Sequence, residues 1–191
     1  MTKTVYFVRH GYALHNMLFH VIGTDAYKIR DTQLLAEGVE QAKNLGNTWD
    51  NINNIEIVVC SPLTRTLDTA TLVFKNTNHK IIALDSLLEY PLGTDENCNQ
   101  RKDKNVLQSL YPHVDFSLIQ DDVFPWKQNN ETIEELQMRA NTFVEWIKTR
   151  PEKHICAVSH SSYISNIIHD VIGDEYNELK HCFPYEYKIG V

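Results

Sequence analysis

Three observations predict an α/β fold with a mainly parallel sheet. Short apolar runs rich in β-branched residues alternate with longer amphipathic stretches. Those stretches repeat their apolar residues at three and four, the period of a helix. No internal repeat or linker interrupts the 191 residues, so one domain, residues 1–191, is expected. Strands separated by helices of this length form βαβ units, whose crossovers favour parallel pairing.

The elements follow in order. Val5, Tyr6, Phe7 and Val8 make a buried strand that ends at a turn marked by Gly11, with a loop beyond it. Residues 34–49 form a helix with Leu35, Val39, Ala42 and Leu45 on one face. Residues 55–60 are a second buried strand, Glu56 aside. Pro62 then opens a helix reaching Phe74, a position where the missing N–H costs nothing. Residues 80–84 are a third strand, 91–103 a polar surface loop, and 105–111 a short helix. Residues 131–148 show the longest helical pattern, and Thr132 and Glu135 have the spacing of a capping box. Residues 154–159 are a fourth strand and 163–171 a helix apolar on most sides. Residues 185–189 alternate as an edge strand does.

The net charge is −7, which excludes the basic surplus of a nucleic-acid binder. It does not exclude a phosphorylated substrate, because two or three local cations set the field of a pocket. Cys60, Cys98, Cys156 and Cys182 have no metal-site spacing, and Cys60 and Cys156 belong to apolar runs, where thiols are inert. The first residues lack the composition of a signal peptide, and no run has the ~18 apolar residues of a membrane span. A cytoplasmic protein without metal or cofactor, not bound to membranes, is therefore expected.

The chemistry lies just after three of the strands. Arg9-His10-Gly11, Ser61-Pro62-Leu63-Thr64-Arg65 and Ser159-His160-Ser161 each follow an apolar run. In parallel sheets, ligands bind at the carboxyl ends of the strands. Parallel pairing therefore brings two guanidinium groups and two imidazoles into one cleft. Desolvating such a set is unfavourable without an anion. A phosphoryl dianion suits it, since Arg forks match its oxygens and Asn16 can add a donor. A neutral His10 imidazole can attack phosphorus, while Arg9, Arg65 and a protonated His160 stabilise the transferring group. A carboxylic acid near the mouth would protonate the leaving alkoxide and then activate water. A surface histidine, a helix-face arginine and a solvated loop acid are the plain alternatives for each residue taken singly.

These stretches resemble the histidine phosphatase superfamily in its phosphoglycerate-mutase-like branch. The resemblance rests on Val8-Arg9-His10-Gly11 with Asn16, on Leu34, Gly38 and Gln41-Ala42, on Ser61 to Thr66 with Thr69-Ala70, and on Val158-Ser159-His160. It implies a three-layer α/β/α sandwich, phosphoglycerate-mutase-like, and a small phosphatase member. It also implies that His10 is the nucleophile, that Arg9, Asn16, Arg65 and His160 bind phosphate, and that Glu89 is the acid/base. Ser161 stands where the family often has Gly, at a position served by its backbone N–H. Asn99 stands where some small members have Asp, and Arg101 is a further candidate to reach the substrate.

Three functions compete. A phosphatase passes the phosphoryl group to water; a mutase passes it to a second hydroxyl and must keep water out. The chain ends at Val191 without a spare closing tail, and Tyr12 to His15 differ from the mutase pattern, which favours the phosphatase. An inactive binding module is disfavoured because the whole constellation is present. The substrate, a phosphorylated small molecule or phosphoprotein, is left open. His15 either lines the pocket or lies on the surface. Phe124, Pro125 and Trp126 either cover the site or pack on the core, with packing preferred.

Overall fold

Strands that must be covered on both faces read as unbroken apolar runs, and this sheet is covered on both. The computed structural model describes residues 2–93, 96–120, 130–172 and 179–190. Its strands are β1 (Thr2–Arg9), β2 (Ile57–Cys60), β3 (Ile81–Ala83), β4 (Val114–Asp115), β5 (His154–Ser159) and β6 (Pro184–Gly190). They form one sheet in the order β4-β3-β2-β5-β1-β6. All pairings are parallel except that of β1 with β6, which closes one edge antiparallel.

The helices are α1 (Leu14–Ile22), α2 (Ala36–Thr48), α3 (Thr64–Val73), α4 (Lys104–Leu110), α5 (Ile133–Thr149) and α6 (Ser161–Ile172). Alternate residues of the strands point to opposite faces, so two cores form. Tyr6, Val8, Val58, Cys60, Cys156 and Val158 pack with Ala42, Leu45, Leu67, Ala70 and Leu107 of α2, α3 and α4. Val5, Phe7, Ile57, Val59, Ile155 and Ala157 pack with Leu136, Phe143, Ile147, Ile164 and Ile168 of α5 and α6. The result is the expected three-layer α/β/α sandwich.

Several boundaries differ from the sequence expectation. The helix expected from Pro62 begins at Thr64, because Asp31 caps it from a distant loop. Asp31 Oδ1 accepts from Thr64 N (2.7 Å), and Oδ2 accepts from Thr64 Oγ1 and Lys102 Nζ (both 2.7 Å). A short helix, α1, occupies the stretch read as a loop after Gly11. The two-residue strand β4 was not expected. The predicted capping box opens α5: Glu135 N donates to Thr132 Oγ1, and Thr132 N donates to Glu135 Oε2.

The turn after β1 rests directly on the backbone of α2. A Cβ added at Gly38 would lie 2.2 Å from Tyr12 O, and one at Gly11 would lie 2.5 Å from Gly38 O. Only glycine at both positions allows this approach. Gly38→Ala should therefore lower stability by about 1–3 kcal/mol, as other overpacked contacts do. A denaturant midpoint indistinguishable from the native value would refute this reading of the contact.

Candidate active site

Strands β2, β5 and β1 are neighbours, and their carboxyl ends stop level with one another. Arg9 pairs with Ser159 across β1 and β5, and Cys60 with Val158 across β2 and β5. His10 N donates to Ser159 O (3.1 Å), and Ser61 N donates to Val158 O (3.0 Å). The three chemistry-bearing segments thus meet at one sheet edge. A pocket of about 280 Å³ opens there, lined by Arg9, His10, Asn16, Arg65, Glu89 and Ser161 among others. His160 lies behind this lining. It is fully buried, with its ring 5.2 Å from that of His10 and its Nε2 2.9 Å from Ser61 Oγ. A larger, mainly apolar cavity of about 480 Å³, between Leu88, Leu118 and Trp146, contains none of these residues.

His10 is fixed in one tautomer. Its Nδ1 lies 2.7 Å from Gly11 O. A carbonyl only accepts, so Nδ1 carries the proton and Nε2 keeps its lone pair. Burial and the charge of Arg65 hold His10 well below the usual imidazole range, with His160, Arg9 and His15 adding to the effect. His160 is lowered in the same way, by burial first and then by Arg65. Its surroundings therefore favour a neutral ring, contrary to the protonated His160 expected from sequence. A phosphoryl dianion beside it is the charge that would reverse this.

Among the described residues, Arg65 is held by uncharged acceptors. Arg65 is 1% exposed; its Nη1 donates to Cys98 O (2.7 Å) and its Nη2 to Asn99 Oδ1 (2.9 Å). Its Nε is buried with no hydrogen-bond partner among the described residues. Arg9 Nη1 donates to Leu179 O (2.6 Å). Asn16 Oδ1 accepts from Ala13 N (3.0 Å), which leaves the amide nitrogen as the group to donate into the pocket.

Glu89 sits at the start of α6. Its Oε1 accepts from Tyr90 N (2.7 Å) and Tyr163 N (2.9 Å), and its Oε2 accepts from Ser162 N (3.3 Å). Burial raises the Glu89 carboxyl above its ordinary range, while these backbone N–H groups and Arg65 act in the opposite direction. Burial prevails. Ser159 Oγ donates to Leu87 O (2.8 Å), which ties the segment carrying Glu89 to the end of β5.

The structure settles one open residue of this pocket and adds others. His15 is buried and lines it, which resolves the open choice; its Nδ1 is 2.6 Å from Thr32 Oγ1. Burial and Arg65 lower it to about 2. Tyr27, Tyr90, Glu96 and Asn99 also line the pocket. Arg101 does not reach it. Its guanidinium is buried and bound to Asp85 Oδ1 (2.9 Å), Lys102 O (3.0 Å) and Gln120 O (2.8 Å). The expected surface loop at 91–103 is partly an interior segment, since Cys98, Asn99 and Arg101 are buried. Phe124, Pro125 and Trp126 lie outside the described residues. Among the described residues, no helix is long and apolar enough to cross a membrane.

Comparison with known proteins agrees with this geometry. The chain is 32% identical to Phosphoglycerate mutase-like protein 1 of Arabidopsis thaliana, over 93% of this chain and 75% of that protein. It is 29% identical to a Schizosaccharomyces pombe protein named as a probable phosphatase, over 83% of this chain and 74% of that one. The fold matches the alpha-ribazole phosphatase of Shigella flexneri (TM-score 0.60, 24% identity, 89% of this chain, 80% of that one). It also matches phosphoglycerate mutase of Bacillus anthracis (TM-score 0.64, 16% identity, 98% and 88%). A family model, the histidine phosphatase superfamily (branch 1), matches residues 5–186. With the sandwich, the pocket and this match in agreement, the chain belongs to the histidine phosphatase superfamily.

Proposed function

We propose that the chain hydrolyses phosphomonoesters through a phosphohistidine on His10. One observation carries this reading: the 2.7 Å contact of His10 Nδ1 with Gly11 O, which leaves the Nε2 lone pair in a pocket shared with Arg65 and Glu89. In the first step Nε2 forms a bond to phosphorus as the ester P–O bond breaks. Arg9 and Arg65 hold the non-bridging oxygens, and Glu89 gives its proton to the leaving alkoxide. In the second step water attacks phosphorus, the N–P bond breaks, and the Glu89 carboxylate takes the proton from water. Alcohol and phosphate leave, and both side chains return to their starting state. Asn16, the Ser161 backbone and His160 complete the phosphate pocket. The reading includes a cytoplasmic location, with which the free thiols of Cys60, Cys98, Cys156 and Cys182 are compatible.

Hydrolysis is favoured over mutase chemistry by the charge of the pocket. Among the described residues, Arg9 and Arg65 are the only Lys or Arg side chains that line it, and both are assigned to the phosphoryl group. A phosphoglycerate carries a second anion, which these residues leave unpaired. Phosphate release should therefore outpace interconversion of 2- and 3-phosphoglycerate; the reverse result would favour the mutase.

Two further outcomes test the roles. His10→Ala should lower kcat by at least about 10³-fold. Glu89→Gln should slow alkyl phosphates by about 10²–10⁴-fold and 4-nitrophenyl phosphate far less, because only a poor leaving group needs the proton. Equal slowing of both would reject Glu89 as the acid.

The pH profile follows from the same groups. His10 lies well below the usual imidazole range, so it stays neutral and nucleophilic as the pH falls through 6.5. Glu89 is raised, so its acid form survives to a higher pH than an ordinary carboxyl and is lost as the pH rises through that raised value. After correction for substrate ionisation, kcat/KM for an alkyl phosphate should show no acid limb near 6.5. It should decline on the alkaline side, and this decline should vanish in Glu89→Gln. An acid limb near 6.5 would show that His10 titrates as an ordinary histidine.

A further inference from the structure

The pocket contains a second carboxylate, Glu96, for which the phosphoryl-transfer steps have no use. It is half-buried, and its Oε2 accepts from Asn99 Nδ2 (3.1 Å). The same amide group donates to Pro91 O (3.1 Å), while Asn99 Oδ1 accepts from Arg65 Nη2 (2.9 Å). Only an amide can do both. An Asp at position 99 could accept from Arg65 but would have no N–H for Glu96 and would repel it. Asn99 therefore joins a carboxylate to the phosphate-binding arginine without neutralising either one.

Among the described residues no Lys or Arg forms an ion pair with Glu96. Burial and the nearby Glu89 push its carboxyl up, and the opposing effect of Arg65 is the smaller one. Tyr27 and Tyr90 line the same pocket. A carboxylate at the wall of a phosphate pocket recognises an ammonium group through a charge-assisted hydrogen bond.

Resting on the phosphatase reading above, we propose that Glu96, held by Asn99, selects phosphomonoesters whose alcohol part bears an ammonium group. The phosphoryl group then lies against Arg9, Arg65 and His10, and the ammonium end lies against Glu96. Arg65 and Glu96, on either side of the Asn99 amide, carry opposite charges, as the phosphoryl and ammonium groups of such a substrate do. A substrate with a second anion meets Glu96 as a like charge and is rejected.

The test measures kcat/KM for O-phosphoethanolamine, glycerol 3-phosphate, 3-phosphoglycerate and 4-nitrophenyl phosphate. The native chain is compared with Glu96→Gln and Glu96→Lys. Ratios between substrates are read within each protein, so a general loss of activity cancels. The native order should be cationic, then neutral, then anionic. Glu96→Gln keeps an acceptor for Asn99 and should lower the ratio of phosphoethanolamine to glycerol phosphate about tenfold or more, chiefly through KM. Glu96→Lys should invert the order in favour of 3-phosphoglycerate. Should the native chain fail to hydrolyse even 4-nitrophenyl phosphate, the phosphatase reading itself falls. Hydrolysis with ratios that neither Glu96 variant moves would overturn the ammonium selection alone.

Discussion

A buried positive charge, with no carboxylate bonded to it among the described residues, governs the rest of the site. Taking a guanidinium out of water is costly unless a counter-charge or good acceptors replace the solvent. Among the described residues, Arg65 receives only a carbonyl and an amide oxygen, from Cys98 and Asn99. Its charge therefore remains available to an anion and acts on every group nearby. After burial, it is the next cause of the lowered basicity of His10, His15 and His160. A histidine that must be neutral to attack is kept neutral first by burial and then by the cation that would hold its substrate.

The fold supports this charge from a distance. Arg65 occupies the first turn of α3, where the helix dipole opposes a cation. Asp31 answers that from outside the helix, by accepting from Thr64 N and Oγ1 and pairing with Lys102. The opposite arrangement holds Glu89: the first N–H groups of α6 point at a carboxylate, which is the charge a helix start favours. The cation and the anion of the pocket thus depend on two helix starts, each following a strand of the same parallel sheet. Gly11 and Gly38 let the turn bearing His10 sit closely enough to complete the wall.

The layers were legible in the sequence because strands buried on both faces leave no room for polar alternation. The same is true of the strand-end motifs, since parallel pairing of β1, β2 and β5 brings their ends together. Helix α1 was not legible. Ala13 gives no side-chain cap, and Phe19, Val21 and Ile22 remain exposed, so no clear buried face marks it. With α1 unseen, the burial of His15 was unseen as well. Asn99 and Arg101 looked like loop residues because polarity in a stretch with Gly93 and several Asn and Asp residues usually means solvent. Their burial comes from partners far along the chain: Arg65 for Asn99, and Asp85 and Gln120 for Arg101. The distant cap from Asp31 likewise moved the start of α3 past Pro62. Long-range partners of polar groups carry no local pattern.

The most direct measurement is to quench the reaction with a radiolabelled phosphomonoester during turnover and map the labelled residue by mass spectrometry. The account predicts one acid-labile, alkali-stable phosphate on the nitrogen of His10, accumulating when Glu89→Gln slows the attack of water. Native-level turnover in His10→Ala, or label found on another residue with His10 unmodified, would contradict it.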